Sequence, residues 1–152
     1  PLGLCPVRTF ASRGYLKKHG TPKHPDDLAH HVLIGARTAP GVYLSAFRFQ
    51  EKGRMITREF QCRVGVDLGD GQAQAAIAGV GIGQSYNYAV AHHIAEGRLV
   101  PVLDDWSWTG PPLGAVHLPN RFLSPKVSVF LDFVKQALGD KVSPYRANWD
   151  NR

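Results

Sequence analysis

Between Asp70 and Leu103 the chain reads DGQAQAAIAGVGIGQSYNYAVAHHIAEGRLVPVL, and the order of residue types there leaves few folds open. Ala75, Ala76 and Ala78 give a slim, strongly helix-favouring surface, and Gly79 stops that helix. Gly81 and Gly83 flank Val80 and Ile82, which predicts a short buried strand ending in a bend with exposed backbone. Gln84, Ser85, Tyr86 and Asn87 follow at once, so polar groups stand at the end of an apolar strand. Asn87 then caps a helix over 88–96 that Gly97 ends, and Leu99 to Leu103 form an edge or crossing strand limited by Pro101. In open α/β folds small ligands bind at strand ends against helix N-termini, so residues 84–87 are the first place to look for function.

The flanking sequence has the same alternation. Val7 to Ala11 is a short strand, Ser12 caps a helix over 13–19, and Gly20 stands just beyond it. Pro25 opens a further helical turn with Asp26 and Asp27 at its positive end, and Leu28 is its buried residue. A strand over 31–34 ends at Gly35 and Ala36, and residues 36–46 read as a loop. Phe47 and Phe49 alternate with Arg48 and Gln50 as in a half-buried strand, and Glu51-Lys52-Gly53 is a hairpin turn. Extended chain continues through Ile56, Phe60, Val64 and Val66, and Asp67 or Asp70 caps the alanine-rich helix. Asp104 to Pro112 is turn-rich and carries Trp106 and Trp108; Gly114 to Leu118 is a strand. Ser124-Pro125 starts a last helix whose Val127, Phe130, Leu131, Val134 and Leu138 recur at helical spacing, and Gly139 ends it. Strands alternating with short helices make the class α/β.

A chain of 152 residues fits one domain, or two small lobes sharing a core. No apolar run approaches a membrane span, and residues 1–4 are too short for a signal peptide. The first residue is Pro, so a fragment, a trimmed chain or a processed product is expected. Of the formal charge of +6, residues 1–63 carry a net +7, eleven Lys and Arg against four Asp and Glu. The bases are scattered, with no aromatic-interleaved stripe, so a solvated surface is expected rather than a nucleic-acid face. Cys5 and Cys62 read as reduced thiols.

No catalytic constellation emerges. Gly79, Gly81 and Gly83 follow a helix, whereas a dinucleotide fingerprint lies between strand and helix, so close packing is expected. Ser85 lacks the second glycine of a nucleophile elbow, because position 87 is Asn. His30-His31 and His92-His93 are adjacent pairs whose side chains point apart, without metal-ligand spacing. Asp104-Asp105 reads as a turn. Neither an enzyme, a cofactor nor a metal is expected.

Three segments resemble LysR-type transcriptional regulators. Ala11 to Pro22, followed by Pro25 to His30, is similar to that family's A-S-P-x-Y-L-x-x-x-G-x-P and P-x-D-L-x-x-H. Ala78 to Gly83 and Gly97 to Trp106 match A-G-x-G-I-x and G-R-L-V-x-V-L-x-x-W. Arg121, Ser124, Pro125, Lys126, Val127 and Phe130 resemble the terminal R-x-x-S-x-K-V-x-x-F. The likeness covers about residues 7–138, with Arg13 and Gly14 departing from the pattern. It implies a type II periplasmic-binding-protein-like fold, here mainly the second lobe plus a C-terminal returning strand and helix. Residues 1–119 would be that second lobe, with crossing strands near 5–11 and 114–121. Residues 120–140 would be a helix of the first lobe, and 141–152 a tail.

The function so implied is cytoplasmic sensing of a small-molecule effector in an interlobe cleft. A winged helix-turn-helix with no counterpart here would contact DNA, in a full-length homodimer or tetramer that touches no membrane. Strand-end geometry places the cleft wall at Ile34, Gly35, Ala36 and Arg37, and at Gln84, Ser85 and Tyr86, with Arg37 as partner for a carboxylated effector. The helix stripe of Phe130, Leu131 and Val134 would pack on the missing lobe. The alternative, a periplasmic solute-binding protein of a transporter, shares the fold and would need an export signal.

Overall fold

In the computed structural model the described residues are 4–39, 42–44, 46–67, 70–114 and 125–142, with side chains outside the description at 37–39, 42–44 and 138–142. Pro6–Trp108 forms one unit, and Pro1–Cys5 with Thr109–Arg152 a second.

The first unit is built on a mixed sheet. Strand β2 (Leu33–Ala39) runs parallel to β6 (Val64–Asp67) on one side and pairs Leu33 and Ile34 in parallel with β7 (Ile82–Tyr86). Farther along, β2 pairs with β3 (Val42–Leu44). Strand β1 (Pro6–Ala11) lies antiparallel between β7 and the edge strand β8 (Val100–Val102), giving the order β3-β2-β7-β1-β8. The expected end of the strand at Ala36 and the expected loop over 36–46 are therefore corrected. Pairing with β6 and β3 carries β2 on to Ala39, and Val42–Leu44 is a strand. Long-range ladder hydrogen bonds decide this, and local propensity does not encode them.

Each face of the sheet buries its own apolar set, as the period of two requires. Phe10, Ile34 and Leu99 pack with Ala73 and Ala76 of α2 (Gly71–Ile77) and Val90 of α3 (Asn87–Ala95). Ala11, Leu33 and Ile82 point the other way, towards Tyr15 and Leu16 of α1 (Arg13–His19), Leu28 of a 3-10 turn (Pro25–His30), and Phe47 and Phe49. The two phenylalanines belong to β4 (Ala46–Glu51), which forms a separate antiparallel hairpin with β5 (Arg54–Glu59). Lys52 and Gly53, at φ 47° and 79°, both take the left-handed conformation that a two-residue turn needs to follow the strand twist.

The N-cap of α1 follows the sequence, and those of α2 and α3 depart from it. Ser12 Oγ accepts from the Tyr15 N–H (3.4 Å). Asp70 occupies the N-cap position of α2 without capping it; its carboxylate takes Gln74 Nε2 (2.8 Å) and lies 3.2 Å from His93 Nε2. Asn87 is the first residue of α3 rather than its cap.

Gly81 and Gly83 are buried, not at an exposed bend. A Cβ at Gly83 would stand 2.9 Å from Phe10 Cε2, and one at Gly81 would run into the Val32 carbonyl. Close packing is thus the role of both, as their place after a helix implied.

In the second unit the Gly110 N–H donates to the Cys5 carbonyl (2.9 Å). Helix α4 (Pro125–Val142) runs through Gly139 instead of ending there, and an interior glycine costs a helix only ~1 kcal/mol. Val129, Phe130 and Phe133 are 69%, 61% and 64% exposed, so its apolar residues are largely uncovered, while Leu131 and Val134 are half-buried. The expected strand near 114–121 lies outside the described residues from 115 onward, as does the tail from 143.

Candidate functional site

At the end of β7 the first unit carries a cleft of about 150 Å³. Its sheet side is Ala36, Ser85 and Tyr86, with Gln72 from the first turn of α2. The hairpin contributes Ala46, Phe47 and Arg48, and Trp108 completes the lining. A mostly apolar hollow of this size holds one small ring.

Gln84 builds the cleft more than it offers itself to a ligand. Its Oε1 accepts from the Arg48 N–H (3.0 Å), and its Nε2 donates to the Arg48 carbonyl and to Thr9 Oγ1 (3.0 Å each). The side-chain amide imitates a strand neighbour for one residue and fastens the hairpin to the sheet. Phe47 and Phe49 are buried on one side of β4, so alternation turns Arg48 outward. Its guanidinium stands over the Trp108 ring, 5.8 Å from the centroid. A cation held against an aromatic face keeps its outer N–H groups free for an anion. Beneath, the 5% exposed Gln72 donates Nε2 to the Ile34 carbonyl (2.8 Å), which seats the start of α2 on β2. Tyr86 stacks on the 57% exposed Tyr88, with rings 5.6 Å apart and nearly parallel at 8°.

Of the seven residues expected on the wall, Ala36, Gln84, Ser85 and Tyr86 line this cleft. Ile34 does not: α2 covers it, it is fully buried with Phe10 and Val90, and only its carbonyl reaches a lining residue. Gly35 is buried within β2 opposite Gly65. The Arg37 backbone sits in β2 between Tyr43 and Asp67, and its side chain lies outside the described residues. Sequence reasoning missed Ala46, Phe47, Arg48, Gln72 and Trp108 as lining. The Phe47–Arg48 alternation was visible, but its destination depends on a bond to Gln84, 36 residues away.

Titratable groups outside the cleft behave as their contacts dictate. The bonds from Gln74 and His93 hold the Asp70 carboxyl below its usual range. His93 is buried, and its ring centroid is 3.7 Å from that of His92, so these neighbours do not diverge as helix geometry implied. Among the described residues no group of three or more His, Cys, Asp or Glu could hold a metal, and no helix is long and apolar enough to cross a membrane.

Residues 1–139 match the family model described as "LysR substrate binding domain". The chain belongs to that family. The transcriptional regulator CrgA of Neisseria meningitidis (serogroup C, strain 8013) is 32% identical over 138 residues, covering 89% of this chain and 44% of that protein. The uncharacterized regulator YcaN of Escherichia coli K12 is 31% identical over 140 residues, 89% of this chain and 42% of that one. The chain thus spans less than half the length of the curated relatives it matches. The CrgA regulatory domain superposes with a TM-score of 0.76 at 29% identity, over 91% of this chain and 67% of that one. The AphB regulatory domain of Vibrio vulnificus does so at 0.65 and 26% identity, over 89% and 65%. The fold is therefore that of LysR regulatory domains, type II periplasmic-binding-protein-like, and the chain is an effector-binding domain of that family. Its relatives are transcriptional regulators, which does not favour the periplasmic solute-binding alternative.

Proposed function

We propose that the cleft between the end of β7 and the hairpin binds a small carboxylated effector, and that a full-length cytoplasmic regulator transmits its occupancy to DNA. The observation that carries this reading is the fixing of Arg48: both its backbone groups are held by Gln84 while its guanidinium rests over Trp108. A preorganised guanidinium above a mostly apolar hollow suits a carboxylate attached to a small apolar body. Ala36, Gln84, Ser85 and Tyr86 remain the proposed wall, and Arg37 is a second candidate for the carboxylate. Ile34 and Gly35 act through the backbone that carries them.

The transmission belongs to the whole protein. An effector that prefers one arrangement of lobes shifts the balance between arrangements by its differential affinity. In this reading residues 5–11 serve as a crossing strand and 120–140 as a helix of the first lobe. A winged helix-turn-helix elsewhere in the protein binds DNA in a homodimer or tetramer, and no catalytic step is involved.

Isothermal titration of the chain against a panel of small carboxylates tests the site. One member should bind, and Arg48→Ala should weaken it about tenfold to a hundredfold, the weight of one charge-assisted hydrogen bond. Equal binding by Arg48→Ala assigns the carboxylate elsewhere, with Arg37→Ala as the next variant.

A further inference from the structure

A second hollow, about 440 Å³, lies away from this cleft, where the end of α1, the 3-10 turn, the start of β2 and the segment leading into β6 meet. Its lining is rich in hydrogen-bond donors. His19, His30, His31 and Arg63 face it, with Glu59 as the opposing charge.

Tyr15 organises this place. Its Oη accepts from the Val32 N–H (2.9 Å), which leaves the hydroxyl hydrogen for His31 Nδ1 at 3.3 Å. In the neutral tautomer whose Nδ1 accepts from Tyr15, His31 carries its hydrogen on Nε2, a donor with no hydrogen-bond partner among the described residues. The same ring stacks on His19, centroid to centroid 4.5 Å, and holds a second imidazole beside the hollow. Arg63 has no ion-pair partner among the described residues, Glu59 included. The remaining nearby carboxylate, Asp27, is engaged by the backbone N–H groups of Lys23 and His24 (2.8 and 2.9 Å).

From this donor set we infer that the hollow is a second binding site, for a multivalent oxyanion of the phosphate or citrate type, held by Arg63 and the imidazoles of His19, His30 and His31. His31 gains charge as pH falls, so binding of an anion beside it takes up a proton. Burial, with His19 and His30 nearby, keeps His31 below its ordinary value; Asp27 opposes that shift, and an entering anion acts in the same sense as Asp27. The net charge of +7 over residues 1–63 draws anions to this part of the chain.

Calorimetric titration of the 152-residue chain with inorganic phosphate and, separately, citrate tests this. At least one should bind at a single site, roughly tenfold tighter at about pH 6 than at about pH 7.5. Arg63→Gln and His31→Gln should each weaken it at least about fivefold, and Arg48→Ala should leave it unchanged. Whichever anion binds more tightly names the chemistry. No binding of either anion at about pH 6, or binding that survives Arg63→Gln undiminished, overturns the inference. Arg63 is exposed, so its substitution leaves the fold intact.

Discussion

The side-chain amide of Gln84 pairs with both backbone groups of Arg48, at 3.0 Å each way, and so extends the ladder of β7 by one residue into the hairpin. The contact joins residues 36 apart and sets where the Arg48 guanidinium stands. The glutamine at the strand end thus fastens the hairpin and lines the cleft as well.

Gln84→Ala removes three hydrogen bonds and leaves the backbone of Arg48 unpaired by protein. It should destabilise the chain by about 2–3 kcal/mol, read from the urea unfolding midpoint at constant slope. Gln84→Glu keeps the acceptor and loses the two donated bonds, so it should fall between the two. A Gln84→Ala chain as stable as the wild type would contradict the fastening role.

Gly83 has no room for a side chain above Phe10. Gly83→Ala should cost about 1–3 kcal/mol by overpacking, while Phe10→Ala should cost about 3–5 kcal/mol through the cavity it leaves. In the double variant the new methyl meets empty space, so the two costs should add to less than their sum, as a double-mutant cycle reads out.

Acid should loosen the junction of α2 and α3. The Asp70 carboxyl titrates below its ordinary 3.8 because Gln74 and His93 bond to its charged form. A depressed carboxyl contributes stability that is present above the unfolded value and is lost as pH falls through the folded one. Asp26, held down by Arg58, and Asp27, held down by the Lys23 and His24 N–H groups, add in the same sense. Asp70→Asn should therefore be less stable than the wild type at about pH 7, with the gap closing as pH falls through the folded value. A gap of constant size at every pH would assign its effect to something other than charge.

His31 runs at the other end of the scale with the same sign. Its folded pKa is lowered, chiefly by burial, so below its ordinary 6.5 the unfolded chain binds the proton first and stability falls as pH drops through the folded value. His31→Gln should flatten the stability profile below about pH 6.5 in anion-free buffer, measured by denaturant unfolding at each pH.

What the sequence made legible was local. Ser12 and Gly20 bracket α1, Lys52 and Gly53 turn the hairpin, and Gly79 and Gly97 at φ 79° and 71° follow their helices as read. These outcomes depend on neighbours within a few residues, and the chemistry of caps and turns is written there. The extension of β2 to Ala39 was not legible, because the partners that hold it, Val64–Asp67 and Val42–Leu44, lie elsewhere in the chain. For the same reason the strand end after Ile82 could be identified, while its companions Arg48, Gln72 and Trp108 could not. That Ile34 does not line the cleft was not legible either, because alternation says which face a residue takes, and not that α2 already covers that part of the face.

Chemical-shift mapping of the labelled chain with the carboxylate panel bears most directly on the central claim, that this domain binds its effector between β7 and the hairpin. Binding there should move the backbone amides of Arg48, Ser85 and Tyr86 and the indole N–H of Trp108, and leave those of His31 and Arg63 in place. Shifts that avoid the first set, or a panel that moves nothing, would contradict it.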